Sequence, residues 1–235
     1  MSDYIIYNGV DSREYGVGVF FYDIDQSPEH VYERISVPGR NGDLTIDQNK
    51  YTNIQRIYDI VAYGDNYKWL NEFTGRLISN VGYFRLEDSF SSDEYYMASI
   101  NGPLEIFTDR ARTMSKFRLE FDRDPRKFLK AGETELYADE SQYITNPTSF
   151  TAKPFIRVYG TGTLGIGATN ITISYANEYT DIDCEMQDCY KGLTNCNNYV
   201  SFSNNEFPVL IAGDNYINLG NGITKAIIKP NWCMI

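Results

Sequence analysis

Three glycines in the second half of the chain have the spacing of a dinucleotide-binding fingerprint. Gly160, Gly162 and Gly165 form a G-x-G-x-x-G series. That motif holds a pyrophosphate because a helix begins directly after it and points free backbone N–H groups at the phosphates. Here the residues that follow have the pattern of short β-strands, so the helix end is missing. The glycines are therefore interpreted as turn residues, and no cofactor is predicted.

The four cysteines are all in the last third of the chain, at Cys184, Cys189, Cys196 and Cys233. The first three have four and six intervening residues, a looser spacing than that of zinc knuckles, and the single histidine, His30, is distant in sequence. A disulfide framework cannot fold the first two thirds of a chain that has no cysteines there. The sequence predicts four reduced thiols and no zinc site.

A run of alternating acidic residues surrounds the first cysteine. Asp181, Asp183 and Glu185 alternate with apolar residues, which predicts a strand with Cys184 on its buried face and the carboxylates in solvent. A calcium ion at these carboxylates would need carbonyl and water ligands to complete its shell. We therefore expect no metal at this strand.

No group of residues stands out as a catalytic site. A histidine-activated nucleophile would have to use His30, and no Ser or Cys context marks a partner for it. A glycosidase needs only two carboxylates, and the 32 acidic residues do not single out a pair. The protein is predicted not to be an enzyme, and a wall-degrading enzyme stays as an alternative that rests only on unassigned carboxylates.

The strongest local motif is the segment Val37-Pro38-Gly39-Arg40-Asn41-Gly42. Proline fixes one φ angle, and the two glycines allow positive φ, so the chain must turn tightly here. Arg40 is predicted to be exposed at the tip of this turn. A plain hairpin would explain the motif, and an interaction surface formed by Pro38, Gly39, Arg40, Asn41 and Gly42 is the alternative.

Composition indicates the fold class of the protein and excludes some classes of partner. The chain has 235 residues, 20 of them Tyr, 13 Phe and 18 Gly, which favours a mainly β protein. Its formal net charge of -11 leaves no basic surface for nucleic acid. The first residues resemble no signal peptide, and no segment has the ~20 apolar residues of a membrane span. We expect synthesis in the cytoplasm and no membrane partner.

The periodicity of apolar residues predicts several strands and one helix. Alternation is clearest where Phe117, Leu119 and Phe121 face inward. After a turn and N-cap at Gly64-Asp65, the apolar residues Trp69, Leu70, Phe73 and Leu77 recur at helical spacing. From Asp122 to Pro154 the pattern gives way to charged and turn-forming residues. The predicted division is a domain over residues 1–130, a connecting arm over 131–150, and a β-sandwich over 151–235.

An ordered series of motifs resembles the distal tail (Dit) family of siphophage tail proteins over nearly the whole chain. In order along the chain, the motifs are Tyr7-Asn8-Gly9, Tyr15-Gly16-Val17, Val37–Gly42, Tyr51-Thr52-Asn53, the helix with Trp69 and Gly75, Tyr95–Ala98, Phe117–Pro125, Asn146-Pro147, Lys153–Gly162, Phe207–Leu210 and Gly213–Asn215. Each motif alone is moderately specific. Their order makes the resemblance much stronger than any single motif does.

The resemblance implies both an architecture and a set of partners. It implies an N-terminal β-sandwich or split barrel with one helix that forms a hexameric ring, and a galectin-like C-terminal β-sandwich. It also implies a place at the tail tip of a virion, between the tail tube protein and the tail-associated hub protein, with receptor-binding proteins at the periphery. It implies no catalytic residue and no cofactor.

A carbohydrate-binding adhesin is the other function that the sequence supports. Galectin-like sandwiches can bind sugars, and the many tyrosines could stack on sugar rings. The chain shows no large inserted module of the kind that would identify such an adhesin. Binding to glycans would distinguish this alternative from a purely structural hub.

Overall fold

The computed structural model describes residues 3–21, 26–63, 67–79, 81–111 and 113–235. Over these ranges the protein is mainly β with one α-helix, which confirms the predicted fold class. The chain divides into two compact units, Met1–Lys127 together with Ile235, and Phe128–Met234. No helix in the described ranges is long and apolar enough to cross a membrane.

The first unit contains ten strands and the helix. In chain order these are β1 Ile5–Tyr7, β2 Val10–Asp11, β3 Val17–Phe21, β4 His30–Ile35, β5 Leu44–Tyr51, β6 Ile54–Tyr63, α1 Tyr67–Ile78, β7 Phe84–Asp88, β8 Glu94–Ile100, β9 Phe107–Thr108 and β10 Met114–Leu129, with a short 3-10 helix at Ser12–Tyr15. The main sheet has the order β2-β1-β7-β8-β10-β6-β3, and β9 also pairs with β10. Strands β4 and β5 form a separate two-stranded sheet.

Alternation along β10 forms the core of the first unit. Phe117, Leu119 and Phe121 are buried, as the sequence predicts, and they pack among aromatic side chains such as Tyr7 and Tyr58. The strand does not end where the pattern lapses, because it runs on through Asp124-Pro125 to Leu129. The polar residues of this segment hide its strand character in the sequence, because a charged side chain such as Arg123 is fully buried on this strand.

Helix α1 covers this core with one face. Leu70, Phe73 and Leu77 are fully buried, and the Phe73 ring lies 5.2 Å from that of Tyr15. Trp69 does not join them, because it lies outside the buried stripe and is 53% exposed. The predicted turn and N-cap at Gly64-Asp65 lie outside the described residues.

The second unit is a sandwich of two antiparallel sheets. Its strands are β11 Leu136–Ala138, β12 Gln142–Asn146, β13 Phe155–Gly160, β14 Gly162–Ile166, β15 Thr169–Ile173, β16 Tyr179–Asp183, β17 Asp188–Lys191, β18 Thr194–Asn195, β19 Val200–Phe202, β20 Gly213–Leu219 and β21 Ile223–Lys229, with 3-10 helices at Lys130–Glu133 and Asn197–Tyr199. The last strand, β22 Cys233–Met234, is in neither of these sheets and pairs with β10. One sheet has the order β11-β21-β13-β16-β17-β18 and the other β12-β20-β14-β15-β19. Aliphatic side chains of both sheets form one core.

The segment over residues 131–150 is not a connecting arm, which corrects the predicted division. Strand β11 pairs with β21 and strand β12 pairs with β20, so this segment provides an edge strand to each sheet of the second unit. The turn-forming residues between these strands gave the sequence the appearance of a linker. Three- and five-residue strands are too short to produce a clear alternating pattern.

The glycine series marks a close approach of two backbones. Gly160 ends β13 and Gly162 begins β14, and both have positive φ. A Cβ atom at Gly160 would lie 2.2 Å from the carbonyl oxygen of Gly222, and one at Gly162 would lie 2.1 Å from that of Asn221. No helix follows, in agreement with the turn interpretation, although the third glycine of the series lies inside β14 and not in a turn.

Candidate assembly surfaces

The Pro38–Gly42 segment forms the tip of the β4–β5 hairpin. The Arg40 backbone N–H donates to the Val37 carbonyl at 3.1 Å, which closes a four-residue turn. Gly39 has φ +83° and follows Pro38, so proline and glycine occupy the positions that a type II turn requires. All five residues of the segment are exposed, and Arg40 lies at the tip as predicted.

One face of this hairpin is apolar and uncovered. Ile35 pairs with Leu44, and Glu33 pairs with Ile46 two residues further along, so the three aliphatic side chains share a face. They are 38%, 39% and 43% exposed, respectively. On the opposite face Arg34 Nη2 donates to the Tyr32 hydroxyl at 2.9 Å. The hairpin is therefore amphipathic without an apolar partner among the described residues.

An isolated two-stranded ribbon is only marginally stable in water. Among the described residues of the first unit, none forms a layer against the apolar face of the β4–β5 ribbon, and nearly all residues of the ribbon are exposed. Covering Ile35, Leu44 and Ile46 would remove apolar surface from water and so hold the ribbon in place.

The first unit also has a large open groove. It has a volume of about 850 Å³ and is lined by the outer faces of β3, β6 and β10 and by the loop before β9. Two exposed rings, Phe20 and Phe107, stand in it, and the Asp59–Arg118 ion pair lies beside them with a Nε to Oδ1 distance of 3.3 Å. The sequence does not predict this groove. The detectable signal was Phe20, an aromatic residue at an outward position of an alternating strand.

A buried polar network holds the sheet behind these surfaces in one register. Asp88 accepts hydrogen bonds from Arg56 Nη2 at 3.0 Å and from the Tyr58 hydroxyl at 2.6 Å, while its other oxygen accepts the backbone N–H groups of Phe90 and Ser91. Burial, together with the Asp88 carboxylate, raises the pKa of Tyr58 well above its usual range. The phenol therefore stays protonated and serves as a donor, and the carboxylate is satisfied on both oxygens.

The acidic residues around Cys184 do not assemble into a site. Asp181 is buried, not solvated as predicted, because Arg157 holds it with contacts of 2.6 and 2.8 Å. Asp183 instead caps the turn that ends β16, and Glu185 lies 3.7 Å from Lys153. The prediction failed because alternation predicts a residue's face but not a cross-strand arginine. In the described ranges, no group of His, Cys, Asp and Glu is arranged to hold a metal.

The histidine and the cysteines belong to different units. None of the four cysteines is in a disulfide, and Cys184, Cys189 and Cys233 are buried while Cys196 is partly exposed. Burial raises the pKa of Cys189 to about 12, which makes it a poor nucleophile. His30 is at the base of the β4–β5 hairpin in the first unit, where its Nε2 lies 3.0 Å from Asp47 and its ring stacks on Tyr51.

Comparisons with known proteins show which solved structures have a similar fold. No family model matches the chain, and no curated protein is significantly similar to it in sequence. Among solved structures, the chain is similar to the Dit (gp 19.1) protein of SPP1, with a TM-score of 0.72 and 12% identity over 100% of both chains. That protein is described as a paradigm of the hub adsorption apparatus in phages that infect Gram-positive bacteria.

Two further similar structures are baseplates of phage P2 in the activated conformation. The one with Ca has a TM-score of 0.50 at 12% identity, over 97% of this chain and 98% of the other. The one with Sr has a TM-score of 0.52 at 12% identity, over 97% of both chains. The chain therefore has, over its whole length, the fold of the phage distal tail proteins that its sequence motifs resemble.

Proposed function

We propose that the protein is the structural hub of a phage tail tip. In this role six copies form a ring through their first units, and the ring connects the tail tube protein to the tail-associated hub protein and to receptor-binding proteins. The protein has no catalytic part in this proposal. The observation that carries it is the presence of two different open surfaces on one unit, the apolar face of the β4–β5 hairpin and the groove around Phe20 and Phe107.

Two different surfaces on one chain favour a head-to-tail contact. In such a heterologous interface the hairpin of one copy meets the groove of the next, and rotation closes the series into a ring. The hairpin offers aliphatic side chains, and the groove offers two exposed rings with a volume of about 850 Å³. Arg40 at the rigid tip would then reach an acidic group of the neighbouring copy or of a stacked ring.

The proposal is tested on full-length protein by sedimentation velocity and negative-stain imaging, alone and with the tube and hub proteins. We expect a particle of six 27.0 kDa chains. The double variant Leu44→Ser, Ile46→Ser is expected to abolish it, and Arg40→Ala to weaken it by about a few kcal/mol per contact. Monomer stability should change by only about 0.5 kcal/mol in Arg40→Ala. The matched control is Ile211→Ser, which removes an exposed aliphatic side chain from the second unit.

A mixing experiment identifies the two halves of the interface. The hairpin double variant keeps an intact groove, and a Phe20→Ser, Phe107→Ser variant keeps an intact hairpin. Mixed together, the two variants retain one intact contact per pair and should form dimers, while each alone stays monomeric. Rings formed by the hairpin variant alone would refute the proposal. So would the absence of rings when the parent protein is mixed with the tube and hub proteins.

A further inference from the structure

A cleft opens at one edge of the second unit, between the edge strands of its two sheets. It has a volume of about 460 Å³, within the usual range for small-molecule sites. Strands β11 and β12 form its walls, with Tyr137 and Tyr143 among the lining residues, and the nearly buried Trp232 contributes to its surface. The cleft therefore combines concavity with aromatic rings.

A pair of exposed tyrosines continues the cleft onto the outer face of the second sheet. Tyr143 on β12 is directly opposite Tyr216 on β20, and their ring centroids lie 4.9 Å apart at an angle of 45°. The two residues are 68% and 43% exposed. Tyr137 is less available, since the Lys225 ammonium lies 4.9 Å from its ring centroid. The Tyr143–Tyr216 pair is the open aromatic platform beside the cleft.

Hydrogen-bonding groups surround this platform. The Thr145 hydroxyl donates to Asp214 Oδ1 at 2.6 Å, and Asp214 is two residues from Tyr216 on the same face of β20. Asn218, two residues beyond Tyr216, accepts from the Ser141 hydroxyl at 3.2 Å. Hydroxyl, amide and carboxylate groups at the rim of an apolar ring suit a ligand with an apolar face and hydroxyls at its edge.

The charges at the cleft exclude one class of such ligands. Glu135 lines the cleft and is the single charged residue among its described lining residues. Hydrogen bonds from Tyr137 and Lys229 lower its pKa, so it is ionised at neutral pH. The Lys229 ammonium lies 3.4 Å from Glu135 and balances its charge, whereas Asp214, beside the platform, accepts from the Thr145 hydroxyl, and its negative charge disfavours an anionic ligand there. Carboxylate acceptors instead match the hydroxyl donors of an uncharged sugar.

We propose that this cleft and the Tyr143–Tyr216 platform form a binding site for a neutral saccharide. A pyranose ring stacks on the tyrosine pair, and its hydroxyls donate to Asp214 and Asn218. This site belongs entirely to the second unit. It is therefore independent of the hairpin and groove of the first unit, and either proposal can fail without the other.

The test uses the two tryptophans of the chain as reporters. In full-length Trp69→Phe protein, Trp232 is the sole tryptophan and lines the cleft. Its emission is titrated with lactose, maltose, cellobiose and N,N′-diacetylchitobiose, and a neutral-glycan array extends the search. We expect a saturable change with at least one of these sugars, and an affinity on the order of tenfold lower in Tyr143→Ala and in Tyr216→Ala through loss of stacking.

The matched control is Tyr175→Ala in the same unit. Tyr175 is 56% exposed, and its ring centroid lies 5.2 Å from that of Tyr199. This pair resembles the Tyr143–Tyr216 platform but does not line the cleft. Its removal should leave the affinity unchanged. The proposal is overturned if no neutral glycan binds, if Tyr143→Ala binds as tightly as the parent protein, or if sialyllactose binds where lactose does not. Sugar binding by the Leu44→Ser, Ile46→Ser variant would be retained whether or not rings form.

Discussion

Each unit contains an arginine bound to a buried carboxylate, and the two arginines differ in burial. In the first unit Arg56 and Asp88 are both almost completely buried, and the Arg56 guanidinium carbon lies 3.8 Å from the centroid of the Phe21 ring. In the second unit Asp181 is buried, but the Arg157 side chain is 37% exposed on the outer face of its sheet. The Arg56–Asp88 pair is part of the core of the first unit, whereas the Arg157–Asp181 pair lies at the surface of the second unit with its arginine in contact with water.

The cores of the two units also differ in how polar they are. The first unit has many aromatic and polar groups inside, and it leaves a ribbon and a groove uncovered. The second has a core of Ile, Val, Leu and Ala between two complete sheets, and its outer faces carry polar and aromatic residues. A unit that completes its own core does not need a neighbour for stability. This difference suits the proposed assembly through the first unit and the proposed saccharide binding by the second.

The largest expected difference between the units is in the loss of stability when each buried carboxylate is removed. Asp88→Ala leaves the Arg56 charge buried without its partner, and we expect a loss of about 3–5 kcal/mol in the stability of the first unit. Asp181→Ala leaves Arg157 in contact with water, and the second unit should lose only about 1–2 kcal/mol. Hydrogen exchange followed by mass spectrometry measures each unit separately. Equal losses in the two variants would contradict the comparison.

Two glycines with similar φ angles should respond differently. Gly222 in the second unit has φ +89°, and a Cβ there would lie 2.0 Å from the Thr161 carbonyl oxygen. Gly222→Ala is expected to cost about 3 kcal/mol through backbone strain and overpacking. Gly39 has φ +83° with open space around it, so Gly39→Ala should cost about 1 kcal/mol. Chemical denaturation of both variants gives these values, and a larger loss in Gly39→Ala would show that the hairpin tip is packed.

The smallest effect concerns thiol chemistry in the second unit. Burial keeps the pKa of Cys189 near 12, so at pH 8 this thiol is protonated and unreactive. Cys184 and Cys233 are also buried, whereas Cys196 is partly exposed. A thiol reagent at pH 8 should modify one cysteine rapidly in the native protein and four after denaturation. A total of two in denaturant would indicate a disulfide, and rapid native modification of all four would show that the second unit opens readily.

Local patterns were sufficient to predict much of the fold. Alternation located the buried face of β10 at Phe117, Leu119 and Phe121, and helical spacing located α1. Proline and glycine chemistry predicted the turn at Pro38-Gly39 with Arg40 exposed. Each of these depends on residues close together in sequence, whose periodicity or φ preference is an intrinsic property. The order of the motifs also predicted the fold that the structural similarity shows.

Tertiary structure alone decided which residues far apart in sequence meet. The sequence could not reveal that Asp181 would be buried by Arg157, that Gly160 would contact the backbone of Gly222, or that residues 136–146 would provide an edge strand to each sheet. Nor could it reveal the Tyr143–Tyr216 platform, or that the outward-facing Phe20 would stand in a groove. These features depend on strand register and on which edges become neighbours, and period-two alternation specifies a residue's face without specifying its partner across the sheet.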